Sequence, residues 1–252
     1  MILAVNIGNT NVRVAIGKDH PTRDAVAFWD EIPGPESFLR FLEGKFGAGL
    51  WSGLEGCIIA SVVPGQTEMV AGALESKLGR PPKRVDLKNN PPLDLSQYKD
   101  TPGEDRVVCC VGALCEHTPP LILVDFGTAT TINVLDERGR FLGGAILAGL
   151  HISLEALAGR TAQLPLVDEF AADIPLIGSR TKESMVSGAV LGEAFAAAGY
   201  VERIKKIYGQ GTPVIVTGGH APVILPYCEF EYIHAPNLLL SGLFALYSND
   251  CQ

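Results

Sequence analysis

The sequence predicts an α/β protein built as two similar lobes facing a cleft, and three observations predict it. An apolar strand, a polar turn and a second strand near the start recur as a unit near the middle of the chain. Continuous apolar, β-branched runs that end at Gly or Pro, as buried strands do, alternate with stretches of helical period. The 252 residues are 47% hydrophobic and 19% charged, which is enough apolar material for one large core or two smaller ones.

The first unit is Ile2-Leu3-Ala4-Val5-Asn6-Ile7-Gly8-Asn9-Thr10-Asn11, followed by Val12-Arg13-Val14-Ala15-Ile16-Gly17. The run from Cys57 to Val63 ends at Pro64-Gly65 and reads as a buried strand. From Gln66 to Leu78, Met69, Val70, Ala73, Leu74 and Leu78 fall at helical spacing, and Gly79 and Pro81-Pro82 stop that helix. Val107 onward reads as a buried helix. The second unit is Leu121-Ile122-Leu123-Val124-Asp125-Phe126-Gly127-Thr128-Ala129-Thr130-Thr131, then Ile132-Asn133-Val134-Leu135, closed by a hairpin turn at Asp136-Glu137-Arg138-Gly139. Lys182 to Tyr208 forms one or two helices. Val214 to Thr217 is a strand running into Gly218-Gly219, and Pro236-Asn237 open a last helix over Leu238 to Tyr247. The lobe boundary falls near 118, giving lobes at 1–118 and 119–252 with no low-complexity linker between them.

Composition excludes several classes. The formal charge is −8, from 20 Lys and Arg against 28 Asp and Glu. A chain this acidic, with no basic cluster beyond Lys205-Lys206, is expected to bind neither nucleic acid nor an anionic membrane. Gly, Pro or a charge interrupts every apolar run, so no membrane span is expected. The first residues lack a basic stretch before the apolar one, so no secretory signal is read and a cytoplasmic protein is expected. The six cysteines (57, 109, 110, 115, 228 and 251) have no zinc spacing and read as small hydrophobes in a reducing compartment.

The two turns carry the chemistry. Gly8 permits close approach of a ligand, and Asn9, Thr10 and Asn11 offer N–H groups and short polar side chains that can wrap a phosphate. The second turn offers Gly127, Thr128, Ala129, Thr130 and Thr131 beside Asp125, and a carboxylate next to such hydroxyls suits a phosphate-bound cation. Either turn alone could be an ordinary hairpin. As a repeat, with Thr217-Gly218-Gly219 after a third strand, they point to nucleotide binding.

This pattern resembles the superfamily of acetate and sugar kinases, heat-shock 70 chaperones and actin, which implies ribonuclease H-like lobes, the actin-like ATPase fold, around a nucleotide cleft. Tyr98, Pro102-Gly103-Glu104-Asp105-Arg106, Asp125-Phe126-Gly127-Thr128-Ala129-Thr130-Thr131 and Gly143-Gly144-Ala145-Ile146 narrow the match. Together with Ala60 to Pro64, Thr161 to Pro165 and Ile177 to Thr181, they make the chain resemble type III pantothenate kinase, also called the Bvg accessory factor family, from end to end. The resemblance implies ATP-dependent phosphorylation of pantothenate to 4′-phosphopantothenate, which opens coenzyme A biosynthesis. It assigns ATP, with Mg²⁺, to the stretch Asn6, Ile7, Gly8, Asn9, Thr10, Asn11, Val12 and Arg13 and to Thr128. Pantothenate falls to Tyr98, Gly103, Glu104, Asp105, Arg106 and Thr181. Asp105 is implied as catalytic base and Asp125 as ligand of a monovalent cation, K⁺ or NH₄⁺; a homodimer is implied too.

The residues themselves fit these roles and also allow others. A carboxylate at Asp105 can take the proton of a primary hydroxyl, and it would equally suit a helix N-terminus. Arg106 could clamp a carboxylate as a planar fork, or form a surface ion pair. Thr181 could touch substrate, or cap a helix that has Ser184 beyond it. The sequence departs from the family where Asn6 replaces an Asp, where Tyr98 stands closer to Gly103, at Ala148 in place of Pro, and at His234-Ala235-Pro236-Asn237. Two further readings stand beside the kinase: a nucleotide-binding or regulatory homologue weakened at Asn6, and a kinase of another small hydroxyl compound.

Overall fold

A computed structural model describes residues 1–170 and 173–248. Cys251 lies outside the described residues. In chain order the elements are β1 (Ile2–Ile7), β2 (Asn11–Gly17), β3 (Pro21–Phe28), α1 (Pro35–Phe46), α2 (Leu50–Gly53), β4 (Gly56–Ser61), α3 (Pro64–Leu78), β5 (Lys83–Arg84) and α4 (Glu104–Glu116). They continue with β6 (Leu121–Phe126), β7 (Ala129–Leu135), β8 (Phe141–Ala148), α5 (Leu150–Arg160), α6 (Thr181–Tyr208), β9 (Val214–Thr217), α7 (Ala221–Ile224), β10 (Ile233–His234) and α8 (Leu238–Ser248).

The chain folds as two compact units. One holds Met1–Thr118, Gly139–Phe141 and the segment from Asn237; the other holds Pro119–Arg138 and Leu142–Pro236. Each contains a five-stranded sheet, ordered β3-β2-β1-β4-β5 in the first and β8-β7-β6-β9-β10 in the second. The orders are the same when read by position. In each, an antiparallel hairpin (β1–β2, β6–β7) is followed by parallel pairing of its first strand to the next strand across the sheet (β1–β4, β6–β9). The repeat read in the sequence is therefore a repeat of topology.

In the first unit, α1 and α3 pack on one face of the sheet around Phe38, Leu42, Val70 and Leu74, all fully buried. On the other side α8 packs against α4, β1 and β4. The α4–α8 contact runs through bare backbone. A Cβ on Gly112 would stand 2.4 Å from the Leu238 carbonyl oxygen, and one on Gly242 would stand 2.1 Å from that of Val108. Glycine inside a helix costs about 1 kcal/mol relative to Ala; here it lets two helices touch at their main chains. The lobe drawn as 119–252 thus ends earlier: α8 is apolar along most of its length, and α4 offers it the face it buries against.

In the second unit, α5, α6 and α7 cover the sheet, with Leu150, Leu154, Val190, Ala194 and Ile224 in the core. The stretch expected as one or two helices is a single 28-residue helix, α6. By length and composition alone α6 passes for a membrane span, but Gly and charged residues interrupt it. Half of its apolar window is buried inside the unit, and the buried face includes Glu193. Cys57, Cys109, Cys110 and Cys228 are free thiols, and burial pushes the Cys57 and Cys110 thiols up to about 12.

Candidate active site

The first hairpin turn lies between β1 and β2. Gly8 N–H donates to the Asn11 carbonyl at 2.9 Å and closes it. Trp29, just past β3, braces the turn twice: its indole Nε1 donates to the Gly8 carbonyl at 2.9 Å, and its main-chain N–H reaches the Thr10 carbonyl at 3.4 Å. Asn6, in register with Arg13 on β2 and Ala60 on β4, is 8% exposed. Arg13 Nη2 reaches Asn237 Oδ1 at 3.5 Å.

The parallel strands β1 and β4 end side by side, with Ile7 paired to Ser61. The carboxyl end of a parallel pair is where ligands meet an open α/β sheet. The N-terminus of α4 is pinned there, because Ser61 N–H donates to Glu104 Oε2 at 2.8 Å. One residue on, Asp105 Oδ1 accepts the Arg106 N–H at 2.8 Å. The side chain curls back over the helix start, so a Cβ on Gly103 would stand 2.5 Å from Asp105 Oδ1. That contact is a physical reason for Gly two places before Asp. Burial raises the pKa of Asp105 above its ordinary value, outweighing the hydrogen bond from the Arg106 N–H and the pull of the Arg106 charge. Burial raises Glu104 as well, opposed by the Ser61 N–H. Asp105 thus stands in the first turn of α4, as the helix-terminal reading expects.

Arg106 is not a surface ion pair, being 8% exposed. Its guanidinium carbon lies 5.7 Å from the Tyr98 ring centre and 5.3 Å from that of Phe141, and Nη1 reaches the Tyr98 hydroxyl at 3.4 Å. Tyr98 and Phe141 meet edge to face at 5.2 Å. The structure thus brings Tyr98 to Arg106 despite the short spacing to Gly103. Phe141 follows a hairpin turn in the sequence, and nothing in its local pattern marks it as a site residue.

Asp125, Thr128 and Thr181 belong to the second unit. Asp125 is the next-to-last residue of β6, in register with Thr131. Its carboxylate lies against glycine backbone: a Cβ on Gly218 would stand 2.5 Å from Oδ1, and one on Gly127 3.2 Å. Gly218 also has φ +105°, so the Gly-Gly turn after β9 packs directly on the second hairpin. His220 donates its N–H to the Phe126 carbonyl at 2.9 Å, and its Nδ1 lies 3.0 Å from the Gly127 carbonyl oxygen. His151 Nδ1 lies 3.0 Å from His220 Nε2. On β7, Thr130 Oγ1 donates to Glu193 Oε2 at 2.5 Å, and burial raises the pKa of Glu193. Trp29, His151, His220 and Glu193 escape a reading of the sequence, since their partners are 21 to 93 residues away. Thr181 is the first residue of α6, not its cap, since Arg180 holds the cap position. With Leu157, Leu164 and Met185 it lines an open hollow of about 590 Å³.

Among the described residues no group of three His, Cys, Asp or Glu side chains could hold a metal alone.

The sequence model of type III pantothenate kinase matches residues 2–203. A type III pantothenate kinase from Thermomicrobium roseum is 35% identical over 256 aligned residues, covering 98% of this chain and 96% of that protein. The chain belongs to the type III pantothenate kinase family. It is a phosphotransferase that uses ATP and a divalent metal to phosphorylate pantothenate, the opening step of coenzyme A biosynthesis. Among solved structures, one described as a Baf family transcriptional activator from Campylobacter jejuni superposes with a TM-score of 0.63 at 16% identity, over 98% of this chain and 99% of that one. An activator of 2-hydroxyisocaproyl-CoA dehydratase from Clostridium difficile gives 0.55 at 14%, over 99% and 94%. Such identities speak to the fold alone, and it is the two-lobed α/β fold of actin-like ATPases and sugar kinases.

Proposed function

We propose that Asp105 is the general base of the pantothenate kinase reaction. The observation that carries this reading is the buried carboxylate at the start of α4, held at the carboxyl end of β1 and β4 with its pKa raised by burial. The primary hydroxyl of pantothenate is a poor nucleophile. Asp105 takes its proton as the hydroxyl oxygen bonds to the γ-phosphorus and the bond from that phosphorus to the ADP oxygen breaks. The proton then passes to solvent. Arg106, held between Tyr98 and Phe141, presents a planar fork to the pantothenate carboxylate, with Gly103, Glu104 and Thr181 completing the substrate contacts.

ATP is held by Asn6–Arg13 and by Thr128. Mg²⁺ supplies charge neutralisation on the phosphates, with Asn6 offering its carbonyl oxygen where a carboxylate is more usual. Asp125 is the ligand of a monovalent cation, a reading supported by its carboxylate lying against the close-packed Gly127 and Gly218 backbones. A homodimer in the cytoplasm, with no nucleic acid or membrane partner, completes the reading. Exposed Leu166, Leu176, Ile177 and Phe195 in the second unit support self-association.

The test is Asp105→Asn. It should lower kcat by about 10²–10⁴-fold. It should also raise the melting temperature at neutral pH. A buried carboxyl with a raised pKa binds its proton more tightly in the folded than in the unfolded chain. Its contribution to stability is therefore full below the unfolded pKa and lost as pH rises through the folded one. The neutral amide removes that loss, so the two proteins should converge in acid. In the wild type, the acid limb of kcat/KM should lie above 3.8, the ordinary Asp value. Near-normal kcat in the variant would remove Asp105 from the mechanism.

A further inference from the structure

Gly8 and Gly127 occupy matching places in the two units, each two residues after the polar residue of its strand, Asn6 or Asp125. In both, a ring nitrogen from outside the hairpin meets the glycine carbonyl: Trp29 Nε1 on Gly8 at 2.9 Å and His220 Nδ1 on Gly127 at 3.0 Å. In a trans peptide unit the C=O and the following N–H point in opposite directions. Tying the Gly8 carbonyl to Trp29 therefore turns the Asn9 N–H to the other side of the turn. Tying the Gly127 carbonyl to His220 does the same for Thr128, and the His220 N–H on the Phe126 carbonyl does it for Gly127.

The second brace carries its own orientation device. A carbonyl only accepts, so the His220 proton sits on Nδ1 and Nε2 of the neutral ring is an acceptor. His151 Nδ1, 3.0 Å from that Nε2, must then be the donor. One backbone carbonyl thus fixes the tautomers of two histidines. Burial, reinforced by the neighbouring His151, holds His220 below the ordinary histidine range and favours the neutral ring this arrangement needs. The His151 ring is held in turn, edge to face on Phe170 at 5.6 Å.

We propose that His220, oriented by His151, is a positioning residue that aims the N–H groups of the second hairpin at the ATP phosphates, with Trp29 doing the same at the first. This rests on reading the hairpins as phosphate-binding turns, and the experiment separates the two claims. ATP affinity by calorimetry, with steady-state KM for each substrate, is measured on the full-length protein carrying His220→Ala, His220→Asn, His220→Gln, His151→Phe or Thr128→Ala.

Losing one neutral hydrogen bond is worth about 3- to 10-fold, so His220→Ala should weaken ATP by that factor and leave the pantothenate KM unchanged. Asn places its amide nitrogen near the position of Nδ1 and should recover most of the loss. Gln places its nitrogen near Nε2 and should not. His151→Phe should fall between wild type and His220→Ala. The proposal is overturned if Asn does no better than Ala and Gln, or if both KM values rise together with a lowered melting temperature. If Thr128→Ala weakens ATP while His220→Ala does not, the positioning role alone fails. If Thr128→Ala also leaves ATP affinity unchanged, the phosphate-turn reading fails and takes the proposal with it.

Discussion

The two hairpins are built on one plan and finished differently. The first has three residues between its strands, Gly8 to Thr10, and the second has two, Gly127 and Thr128. Around the first there is room: a Cβ on Gly8 would meet only the Asn11 carbonyl oxygen, at 3.3 Å. The second is packed on by backbone, with a Cβ on Gly218 falling 2.4 Å from the Phe126 carbonyl and 2.5 Å from Asp125 Oδ1. One carries an amide at Asn6, the other a carboxylate at Asp125. The looser hairpin thus holds the amide found where the family usually has Asp, and the tighter one keeps its acid. Repeated topology fixes where a turn falls, while the density of neighbours fixes how much change it tolerates.

The largest effect expected from that contrast is at the glycines. Gly218→Ala must place a side chain at positive φ and inside the Phe126 carbonyl, so it should cost at least about 2 kcal/mol and abolish measurable ATP binding. Gly8→Ala should cost under about 1 kcal/mol. Thermal melts with nucleotide titration test both, and equal losses would erase the distinction between the hairpins.

Next in size is the exchange of charge. Asn6→Asp adds a charge-assisted contact worth about 1.5–3 kcal/mol, so kcat/KM for ATP should rise by about 10- to 100-fold and the Mg²⁺ needed for half-maximal rate should fall. Asp125→Asn should leave that Mg²⁺ requirement in place and remove the difference between potassium and sodium buffers. Superimposable Mg²⁺ titrations of wild type and Asn6→Asp would make Asn6 a tolerated variation.

The smallest effect concerns the anchor beneath the second hairpin. Glu193 is 7% exposed, and its Oε1 has no hydrogen-bond partner among the described residues. Its raised pKa means that its contribution to stability is full in acid and is lost as pH rises through the folded value. Glu193→Gln keeps an acceptor for Thr130 and should raise the melting temperature by a few degrees at pH 8, with no gain below pH 4. A gain of the same size at both pH values would mean that the Glu193 carboxyl has the same pKa in the folded and unfolded chain.

Local physics made much of this legible in the sequence. The apolar runs of β1, β4, β6 and β9, the glycine- and proline-bounded helix α3 and the two polar turns each follow from a handful of adjacent residues. The short motif Gly103-Glu104-Asp105-Arg106 is also local, since the glycine makes room for an acid two places on. The strand β3 was not legible, being exposed along most of its length without a clean alternation; β8 was announced only by the hairpin turn before Phe141, since two glycines break the strand itself. For the same reason the third member of each antiparallel ribbon appears only once the sheet is formed.

The repeat, the places of both polar turns and the carboxylate at the head of α4 were all set by neighbouring residues, because strand period, turn chemistry and helix starts are read over a few positions. It took the folded chain to show that α8 returns to the first unit to lie on α4, that Tyr98 and Phe141 hold Arg106, and that Trp29 and His220 tie the two glycine carbonyls. Each of these joins partners that are far apart in the chain or depends on backbone meeting backbone. No local pattern of residue types encodes which distant ring or carbonyl will arrive at hydrogen-bonding distance.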